Sequence, residues 1–286
     1  MLKVLILSFE AWRDDTNGGN VLSNIFAGQD FSFAQVYCKP GLPQNGLCAR
    51  YFHMTGRMAV SSILRGAPMG KTLVYGAPPA GGGGSDAEDA KSGRAYRVFK
   101  RVNLPVFYAC RELLMCGSKW RSPALDEFVR AFDPDVIFAP LYGSHFMMAL
   151  DRYVVHLTKK PAISYVSDDH YTLRQLRLSP VYWLDRLLLR RHIRKTVPYY
   201  RFLYTMTEEQ AEQMRRDVGA DMRILRKSAS VPAERTARAP HAPVRFLYAG
   251  GVYFGRAGTL MRLAEAIRAE GGKAVLDIYT DSPLGK

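Results

Sequence analysis

Short apolar blocks separated by polar turns mark the start of the chain. The blocks from Lys3 to Ser8 and from Phe33 to Cys38 are too short for helices and are typical of buried strands. Between them lie a polar turn at residues 12–19 and a short apolar helix through Ile25. The pattern therefore predicts a strand, a loop, a helix and a second strand. A further strand and helix are predicted between Tyr51 and Leu64.

A stretch rich in proline and glycine then interrupts this pattern. Pro78, Pro79 and the four glycines at 81–84 disfavour regular structure, and they predict a flexible surface loop or lid. After this stretch, residues 96–115 mix apolar and basic positions in a way that predicts a helix.

From Ser122 onward the chain repeats a strand followed by a helix. Strands are predicted at 136–139, 162–166 and 202–206, and helices are predicted to begin at Ser122, Ser144, Ser179 and Thr207. Ser122 precedes a proline at the first helical position, and residues 207–210 form a capping box. Repeated strand and helix units favour a parallel sheet covered on both faces. We therefore predict an α/β fold with a doubly wound, Rossmann-like sheet for residues 1–226.

Residues 227–243 differ in composition from the segments before them, because they contain three prolines among Ala, Arg and Ser residues. They predict an extended linker between domains. The segment 244–286 then repeats the pattern, with strands at 244–249 and 274–279 and a helix at 259–269. A unit of this size cannot bury a core alone. We expect it to be the incomplete start of a second Rossmann-like domain, or to pack entirely on the first.

The composition of the 286-residue chain limits its class. With 48% hydrophobic residues it can bury a full core, which excludes wholly disordered and collagen-like proteins. The N-terminal apolar run is too short for a signal peptide, and no run reaches the roughly 18 apolar residues of a membrane span. These features predict a cytoplasmic protein. The four cysteines lack metal-binding spacing, so free thiols and no metal site are expected.

Positive charge is concentrated between Tyr171 and Arg201. This stretch contains eight Arg and Lys residues and one acidic residue, Asp185. It therefore carries half of the net charge of +14. The stretch predicts an anionic partner, although a solvated face would look the same. No zinc or helix-turn-helix signature favours nucleic acid. The helix from Ser179 is predicted to pack its leucines on the sheet and to turn its arginines outward, which would allow reversible contact with an anionic membrane.

Ligands of open parallel sheets bind at the carboxyl ends of the strands, so four loops are candidates. Gly18 and Gly19 follow the first strand and would let backbone N–H groups approach an anion, although a tight turn would need them equally. His145 follows a middle strand and either faces the site or only starts a helix. Asp168, Asp169 and His170 offer a proton acceptor or hydroxyl-binding groups, unless an aspartate merely caps the next helix.

The fourth loop contains Gly250, Gly251 and Gly255, followed by Arg256. Glycines between a strand and a helix let a phosphate reach the backbone, and Arg256 adds a cation with a bidentate donor fork. A G-x-G-x-x-G dinucleotide motif would need glycine at position 252, which is valine. The loop therefore favours binding of a sugar nucleotide. The alternative is binding of NAD with Asp281 as the partner of the ribose, which the glycine spacing disfavours.

Several of these segments together resemble one enzyme family. They are Lys3–Ser8 with Gly18 and Gly19, Trp120 and Ser122 leading into Pro134–Phe138, Tyr165–Asp169, Thr205–Glu208, and Phe246–Gly251 with Gly255 and Arg256. The chain resembles GT-B glycosyltransferases of the exopolysaccharide and group-one-like branch, which use nucleotide sugars. The resemblance implies two Rossmann-like domains that face one another.

The resemblance also implies roles for the candidate loops. Gly250, Gly251, Gly255 and Arg256 would bind the donor diphosphate without a metal or a separate cofactor. Gly18, Gly19 and residues 168–170 would line the acceptor side, where a glycan or lipid-linked acceptor is implied. The histidine that follows a middle strand in the family is not plainly matched, since either His145 or His170 could take its place.

Two questions stay open at this level. The family's pair of donor-binding glutamates has no match before Lys286, as expected of a truncated gene product, a fragment or one half of a split enzyme. The stereochemistry of transfer is also open, because only an inverting enzyme needs Asp169 or His170 as a base.

The alternative function is a non-catalytic protein that docks through its basic surface on a membrane or another anionic partner.

Overall fold

Eight strands in the first part of the chain form one sheet. The structure, a computed structural model, describes residues 1–76, 105–175, 178–226, 243–252 and 256–280. The strands are β1 (Leu2–Ser8), β2 (Phe31–Tyr37), β3 (Cys48–His53), β4 (Lys71–Val74), β5 (Val136–Phe138), β6 (Ala162–Val166), β7 (Tyr200–Thr205) and β8 (Met222–Ile224). They lie in the order β4-β3-β2-β1-β5-β6-β7-β8, and every neighbouring pair is parallel except β3 and β4. The predicted α/β fold with a parallel sheet is confirmed.

Helices connect most of these strands. They are α1 (Asn17–Phe26), α2 (Gly56–Arg65), α3 (Pro105–Gly117), α4 (Pro123–Phe132), α5 (His145–Thr158), α6 (Pro180–Thr196), which continues into a 3₁₀ turn at Val197–Tyr199, and α7 (Glu208–Val218). A Ser or Thr hydroxyl caps α1, α2, α4, α5, α6 and α7 at the first turn. No helix within the described ranges is long and apolar enough to cross a bilayer.

The chain divides into two units, residues 1–229 and residues 230–286. In the second unit, β9 (Val244–Ala249) and β10 (Ala274–Tyr279) form a parallel pair, and α8 (Arg256–Ala269) lies between them in sequence. Its helix buries Leu260, while most side chains of the two strands are exposed or half-buried. Residues 227–242 of the expected linker lie outside the described residues, as does the proline and glycine stretch at 78–84.

The sheet reverses its direction of growth between β1 and β5. The chain adds β2, β3 and β4 on one side of β1 and then returns to place β5 on the other side. The loops that leave these two neighbouring strands therefore diverge at their carboxyl ends. Such a topological switch point opens a crevice in doubly wound proteins, and it is the usual place for a ligand.

Both faces of the first sheet are buried. Along β1, Leu5 and Leu7 pack into one hydrophobic cluster, while Val4 and Ile6 pack into a second cluster. Successive side chains of a strand point to opposite faces, so this alternation means that α-helices and loops cover the sheet on both sides. The loops at the carboxyl edge are therefore held by a rigid scaffold.

Two short strands, β4 and β8, were not expected from the pattern. β4 begins after Gly70, which has φ of +100°, and a Cβ atom there would lie 2.3 Å from the ring of Phe52. Glycine therefore permits both the left-handed backbone and the close approach that starts this antiparallel edge strand. β8 is only three residues long and pairs with β7. Strands of this length carry too few side chains to give a pattern.

The orientation predicted for α6 is wrong. Leu184, Leu187 and Leu188 are 62%, 54% and 46% exposed, whereas Arg186 is only 6% exposed and Leu189 is buried. The helix carries two apolar stripes, and the sequence alone does not show which of them faces inward. Arg186 can be buried because carbonyl groups of the loop after β6 accept its hydrogen bonds.

Candidate functional site

Two cavities open where the parallel strands of the first unit end. One, which we call the His170 cavity, has a volume of about 370 Å³ and is lined by Asp168, Asp169 and His170 after β6, by Arg174, and by Thr207 and Gln210 at the start of α7. The other, the Glu10 cavity, has a volume of about 440 Å³ and is lined by Glu10, Arg13 and Thr16 after β1, Lys39 after β2, Glu112 of α3 and Gly143 after β5. The Glu10 cavity thus lies at the switch point.

A buried glutamine fixes the loop that carries Glu10. The amide nitrogen of Gln35 on β2 donates to the Ser8 hydroxyl at 2.6 Å and to the Glu10 carbonyl at 3.0 Å. Its amide oxygen accepts from the Trp12 N–H at 2.9 Å. Because Gln35 is fully buried, these hydrogen bonds are shielded from water and hold the end of β1 in one conformation.

The Glu10 cavity combines charges of both signs with an aromatic ring. Lys39 Nζ lies 2.8 Å from a carboxylate oxygen of Glu10. Lys39 and Arg111 also lie over the ring of Phe9, at 5.4 and 5.0 Å from its centroid. Hydroxyl groups can donate to the carboxylate and accept from the cations, so the cavity suits a ligand rich in hydroxyls. Sequence reasoning missed Glu10, since a lone glutamate after a strand gives no motif.

Glu112 is a second acidic residue that the sequence did not reveal. Its carboxylate is nearly buried and accepts from the Ser144 hydroxyl at 2.7 Å and from the Phe146 N–H at 3.0 Å. Arg111 lies 3.6 Å from its other oxygen. Negative charge at the first turn of α5 is stabilised by the unpaired N–H groups of a helix start. Glu112 thereby anchors α3 to the start of α5, close to Gly143.

Gly18 and Gly19 lie in the first turn of α1, not in the loop before it. A Cβ atom on Gly19 would lie 1.9 Å from the carbonyl oxygen of Arg13, so close packing of the backbone requires glycine. The N–H of Gly19 already donates to the Thr16 hydroxyl at 3.1 Å. Gly18 lies beside the Glu10 carboxylate, since its Cβ position is 3.3 Å from that group. An anion-binding role for these glycines stays a prediction.

Asp169 ties together the loop that follows β6. One of its carboxylate oxygens accepts from the N–H groups of Tyr171 and Thr172 at 3.0 and 2.8 Å, and the other accepts from the Thr172 hydroxyl. Burial favours the neutral acid, but these hydrogen bonds and nearby Arg186 outweigh it and lower the pKa of Asp169. A carboxylate so engaged is a weak proton acceptor, so its geometry matches the capping alternative.

His170 lies against the loop after β5. A Cβ atom on Gly143 would come within 2.7 Å of the Nδ1 atom of His170, so glycine makes room for the imidazole ring. Burial lowers the pKa of His170, although the Asp168 carboxylate raises it by a smaller amount. The imidazole is therefore neutral at pH 7 and can accept a proton. The ring therefore lines the His170 cavity and also lies against Gly143, which lines the Glu10 cavity.

Asp168 also lies exposed on the wall of the His170 cavity, but its carboxylate does not hold the loop through backbone N–H groups as that of Asp169 does. The Ser167 hydroxyl donates to it at 3.1 Å. Its carboxylate is thus available to a ligand, together with Arg174 and the amide of Gln210 on the same wall. Carboxylate, guanidinium and amide groups are the usual partners of sugar hydroxyls and of charged groups.

His145 has a structural partner. Its Nε2 atom donates to the Asp185 carboxylate at 2.9 Å, and its ring packs against His192 with centroids 4.9 Å apart. His145 lines neither cavity, whereas Asp185 lines the Glu10 cavity. Of the two histidines proposed from the sequence, His170 is therefore the one at a cavity wall, and His145 links the start of α5 to α6.

The glycine loop of the second unit is already partly hydrogen-bonded. The Gly250 N–H donates to the Tyr279 carbonyl at 2.9 Å, so it extends the pairing of β9 with β10. The Gly251 carbonyl accepts from the Tyr248 hydroxyl at 2.9 Å and from Arg256 at 3.4 Å. Arg256 thus lies at the start of α8 beside the loop. Gly255 and Asp281 lie outside the described residues.

Metal ligands are not grouped in the described part of the chain. No cluster of three or more His, Cys, Asp or Glu side chains there has the arrangement of a metal site. The four cysteines are free, with Cys38 and Cys48 buried and Cys110 and Cys116 exposed.

Comparison with known proteins gives a likeness in structure only. No protein-family model matches the chain, and no curated protein sequence matches it. Among solved structures, apo UGT2 of Phytolacca americana has a TM-score of 0.51 at 9% identity, covering 100% of this chain and 65% of that chain. A sucrose-phosphate synthase from Thermosynechococcus elongatus has 0.47 at 10% identity, with coverage of 98% and 71%. Glycyrrhiza uralensis UGT73P12, complexed with glycyrrhetinic acid 3-O-monoglucuronide, has 0.44 at 11%, with 100% and 63%.

The likeness to apo UGT2 establishes the fold. The chain shares the Rossmann-like α/β architecture of GT-B glycosyltransferases and covers less than two thirds of the UGT2 chain. Fold alone does not determine activity, so the chemistry must be argued from the site.

Proposed function

We propose that the chain belongs to an enzyme that transfers a sugar from a nucleotide diphosphate sugar to a hydroxyl of a glycan or lipid-linked acceptor. The observation that carries the proposal is the position of His170. It is a neutral imidazole at the carboxyl edge of the sheet, next to a cavity at the switch point, in a chain with the GT-B fold. This is the position in which a proton acceptor would meet an acceptor hydroxyl.

The acceptor side of the reaction uses the first unit. The acceptor occupies the Glu10 cavity, where Glu10 and Lys39 bind its hydroxyls and Phe9 offers an apolar surface. The reacting oxygen forms a bond to the anomeric carbon, and its proton passes to His170. The bond from that carbon to the diphosphate oxygen breaks at the same time, as in an inverting transfer.

The donor side uses the loop of the second unit. Arg256 and the start of α8 stabilise the negative charge that develops on the leaving nucleotide diphosphate. The N–H of Gly250 is already engaged with Tyr279, so the cation and the helix start supply most of this stabilisation. Gly251 leaves room for the phosphate to approach the backbone.

Calorimetry with the full chain tests the donor part of the proposal. UDP, GDP, UDP-glucose and GDP-mannose are titrated into the protein and into two variants, Arg256→Ala and Arg262→Ala. Loss of a charged hydrogen bond should weaken binding about 10- to 100-fold in Arg256→Ala. Arg262 is exposed on the same helix and is the matched control. No binding of any of the four compounds would contradict the proposal.

A second candidate function is peripheral docking on an anionic membrane. The exposed leucines of α6 lie on the same helix as exposed Arg191 and Lys195, and Leu178 just before it is fully exposed. Leucines inserted at the interface and cations at the headgroups are typical of helices that lie on a membrane. Docking of this kind would bring the Glu10 cavity to lipid-linked acceptors, so it also fits a transferase.

A further inference from the structure

Three arginines on one side of α6 contact the loop after β6. Arg186, Arg190 and Arg194 are spaced four residues apart, so they follow one another along one face of the helix. We call them the arginine clamp. They belong to the basic stretch that the sequence analysis assigned to an external anionic partner. Their observed partners are instead groups of residues 169–172 in this chain.

Arg186 forms the buried end of the clamp. Its Nε atom donates to the Thr172 carbonyl at 3.0 Å, and a terminal nitrogen donates to the Asp169 carbonyl at 2.8 Å. The same terminal nitrogen lies 3.5 Å from the Asp169 carboxylate. A guanidinium removed from water is costly unless its donors are satisfied, and these acceptors satisfy several of them. A planar fork is needed to reach both carbonyls.

Arg190 and Arg194 hold Tyr171. Arg190 donates to the Tyr171 carbonyl at 3.1 Å, and its guanidinium lies 4.3 Å from the centroid of the tyrosine ring. Arg194 donates to the Tyr171 hydroxyl at 2.7 Å. The ring of Tyr171 is buried, so the two arginines fix a side chain that has little room to move.

The residue between these anchor points is His170. Asp169 and Tyr171 on either side of it are both bound to the clamp, while His170 itself forms no hydrogen bond within the described ranges. Its ring is instead placed by the backbone on both sides and by contact with Gly143. Arginines of α6 thus hold the backbone on both sides of the imidazole.

We propose that the arginine clamp positions His170 at the wall between the two cavities, so that Arg186 and Arg190 are positioning residues for the transfer reaction. The inference rests on the proposed function for its activity readout. It rests on the structure alone for the position of the ring. A test therefore needs one measurement of each kind.

The choice of substitution matters because Arg186 also acts on His170 through its charge. Asp168 and Asp169 face the ring from its own loop, Arg186 faces it from α6, and Arg174 and Glu209 line the same cavity. Removing the Arg186 charge would raise the pKa of His170 even if the ring stayed in place. Arg186→Lys keeps the positive charge but loses the planar guanidinium that reaches both carbonyl groups. Arg190→Gln removes a contact with Tyr171 and leaves all the charges named above unchanged.

The imidazole resonances of His170 are followed by NMR as a function of pH in the full chain, with His170→Gln used for assignment. We expect the His170 pKa to rise toward its ordinary value of 6.5 in Arg186→Lys and Arg190→Gln, because the loosened ring gains water. Arg130→Gln, which changes an exposed arginine of α4, is the control and should leave the titration unchanged. An unchanged His170 titration in both clamp variants would overturn the proposal.

Transfer kinetics supply the second readout. The clamp variants should lower kcat at least about tenfold with little change in the KM for the donor, since a displacement on the order of 1 Å can cost about a hundredfold. Arg130→Gln should retain the parent rate. If the titration shifts but no variant of His170 affects transfer, the clamp stands and the proposed base is wrong. If His170→Gln abolishes transfer but kcat and KM are both unchanged in folded clamp variants, the clamp has no positioning role.

Discussion

The Nδ1 atom of His170 lies 2.7 Å from the point that a Cβ atom on Gly143 would occupy. This relationship joins the loops after β5 and β6 and brings the imidazole to the edge of the Glu10 cavity. Real Cβ atoms do not approach another heavy atom so closely, so any side chain at position 143 must move the ring. The glycine is thus as specific a part of the site as the histidine.

Gly143→Ala should therefore lower transfer by roughly 10- to 100-fold, because the displaced imidazole no longer meets the acceptor hydroxyl. Gly143 does not have a positive φ, so the backbone itself tolerates alanine. Initial rates and thermal unfolding of the two proteins are compared. Gly56→Ala at the start of α2 is the matched control, since nothing lies within 4 Å of its Cβ position. Equal rates for Gly143→Ala and the parent would remove His170 from the reaction.

Helix starts were the part of the fold that the sequence predicted best. Ser122, Ser144, Ser179 and Thr207 each accept a hydrogen bond from the N–H three residues later, as the cap pattern requires. A cap is decided by residues a few positions apart, so a single sequence contains the whole signal. The strands at 162–166 and 244–249 were equally clear, because they are apolar runs bounded by turns.

The site was predicted only in part, because its geometry depends on residues far apart in the chain. Asp168 and His170 do line the His170 cavity. Glu10 and Gly143 come from two other loops and line the Glu10 cavity. No local pattern connects these positions. The inward direction of Arg186 was missed for the same reason, since its partners are carbonyl groups, which any residue type supplies.

Asp169→Ala should lower the free energy of unfolding at pH 7 by about 1–3 kcal/mol, because the loop loses hydrogen bonds to a charged acceptor. The pKa of Asp169 in the folded protein lies below its ordinary value of 3.8. The carboxylate therefore contributes fully to the free energy of unfolding above about pH 4. This contribution is lost as the pH falls through the pKa of Asp169 in the folded protein. Urea unfolding is measured between pH 3 and pH 7, and the difference in unfolding free energy between the parent and the variant should shrink toward the acidic end.

Asp168→Ala is the control for this measurement, since within the described residues the Asp168 carboxylate accepts from the adjacent Ser167 hydroxyl and not from the backbone of the loop. The comparison also separates two roles for Asp169. A variant that unfolds like the parent but transfers no sugar would show that Asp169 acts as the base and does not merely hold the loop.

Asp151 gives a pH dependence of the opposite sign. It is buried in α5, where the Tyr200 hydroxyl donates to it at 2.6 Å and its other oxygen has no partner among the described residues. Burial raises the pKa of Asp151 to about 7. The folded state therefore binds the proton more tightly than the unfolded chain, and stability should fall as the pH rises from about 4 to 7.

Asp151→Asn should abolish most of this fall, because the amide stays neutral and its oxygen can still accept from Tyr200. Thermal unfolding at intervals from pH 4 to pH 8 measures the effect. The parent should lose up to a few kcal/mol across this range, while the variant stays nearly level. A parent whose melting temperature rises steadily between pH 4 and pH 7, with the variant following it, would mean that Asp151 is ionised in the fold.

Membrane docking through α6 should depend on its exposed leucines and on the cations that the clamp does not use. Leu184→Ser combined with Leu187→Ser and Leu188→Ser removes the apolar face, and Arg191→Gln with Lys195→Gln removes the outward charge. Arg190 and Arg194 are left in place because they bind Tyr171. Both sets of changes should reduce co-sedimentation with phosphatidylglycerol vesicles. The second set should reduce it about 30-fold, since each of its two cations contributes about 1 kcal/mol near an anionic surface.

Salt and lipid charge separate the two contributions. Binding of the parent should weaken between 50 mM and 500 mM salt and should be slight on phosphatidylcholine vesicles, because headgroup attraction is screened. The leucine variant should retain this salt dependence at a lower affinity, since only its insertion into the interface is lost. Arg13→Gln is a control that removes one positive charge far from α6 in the sequence, at a residue paired with Asp15. Equal binding of the parent to neutral and anionic vesicles, or parent-like binding by both variants, would show that α6 does not attach the protein to a membrane.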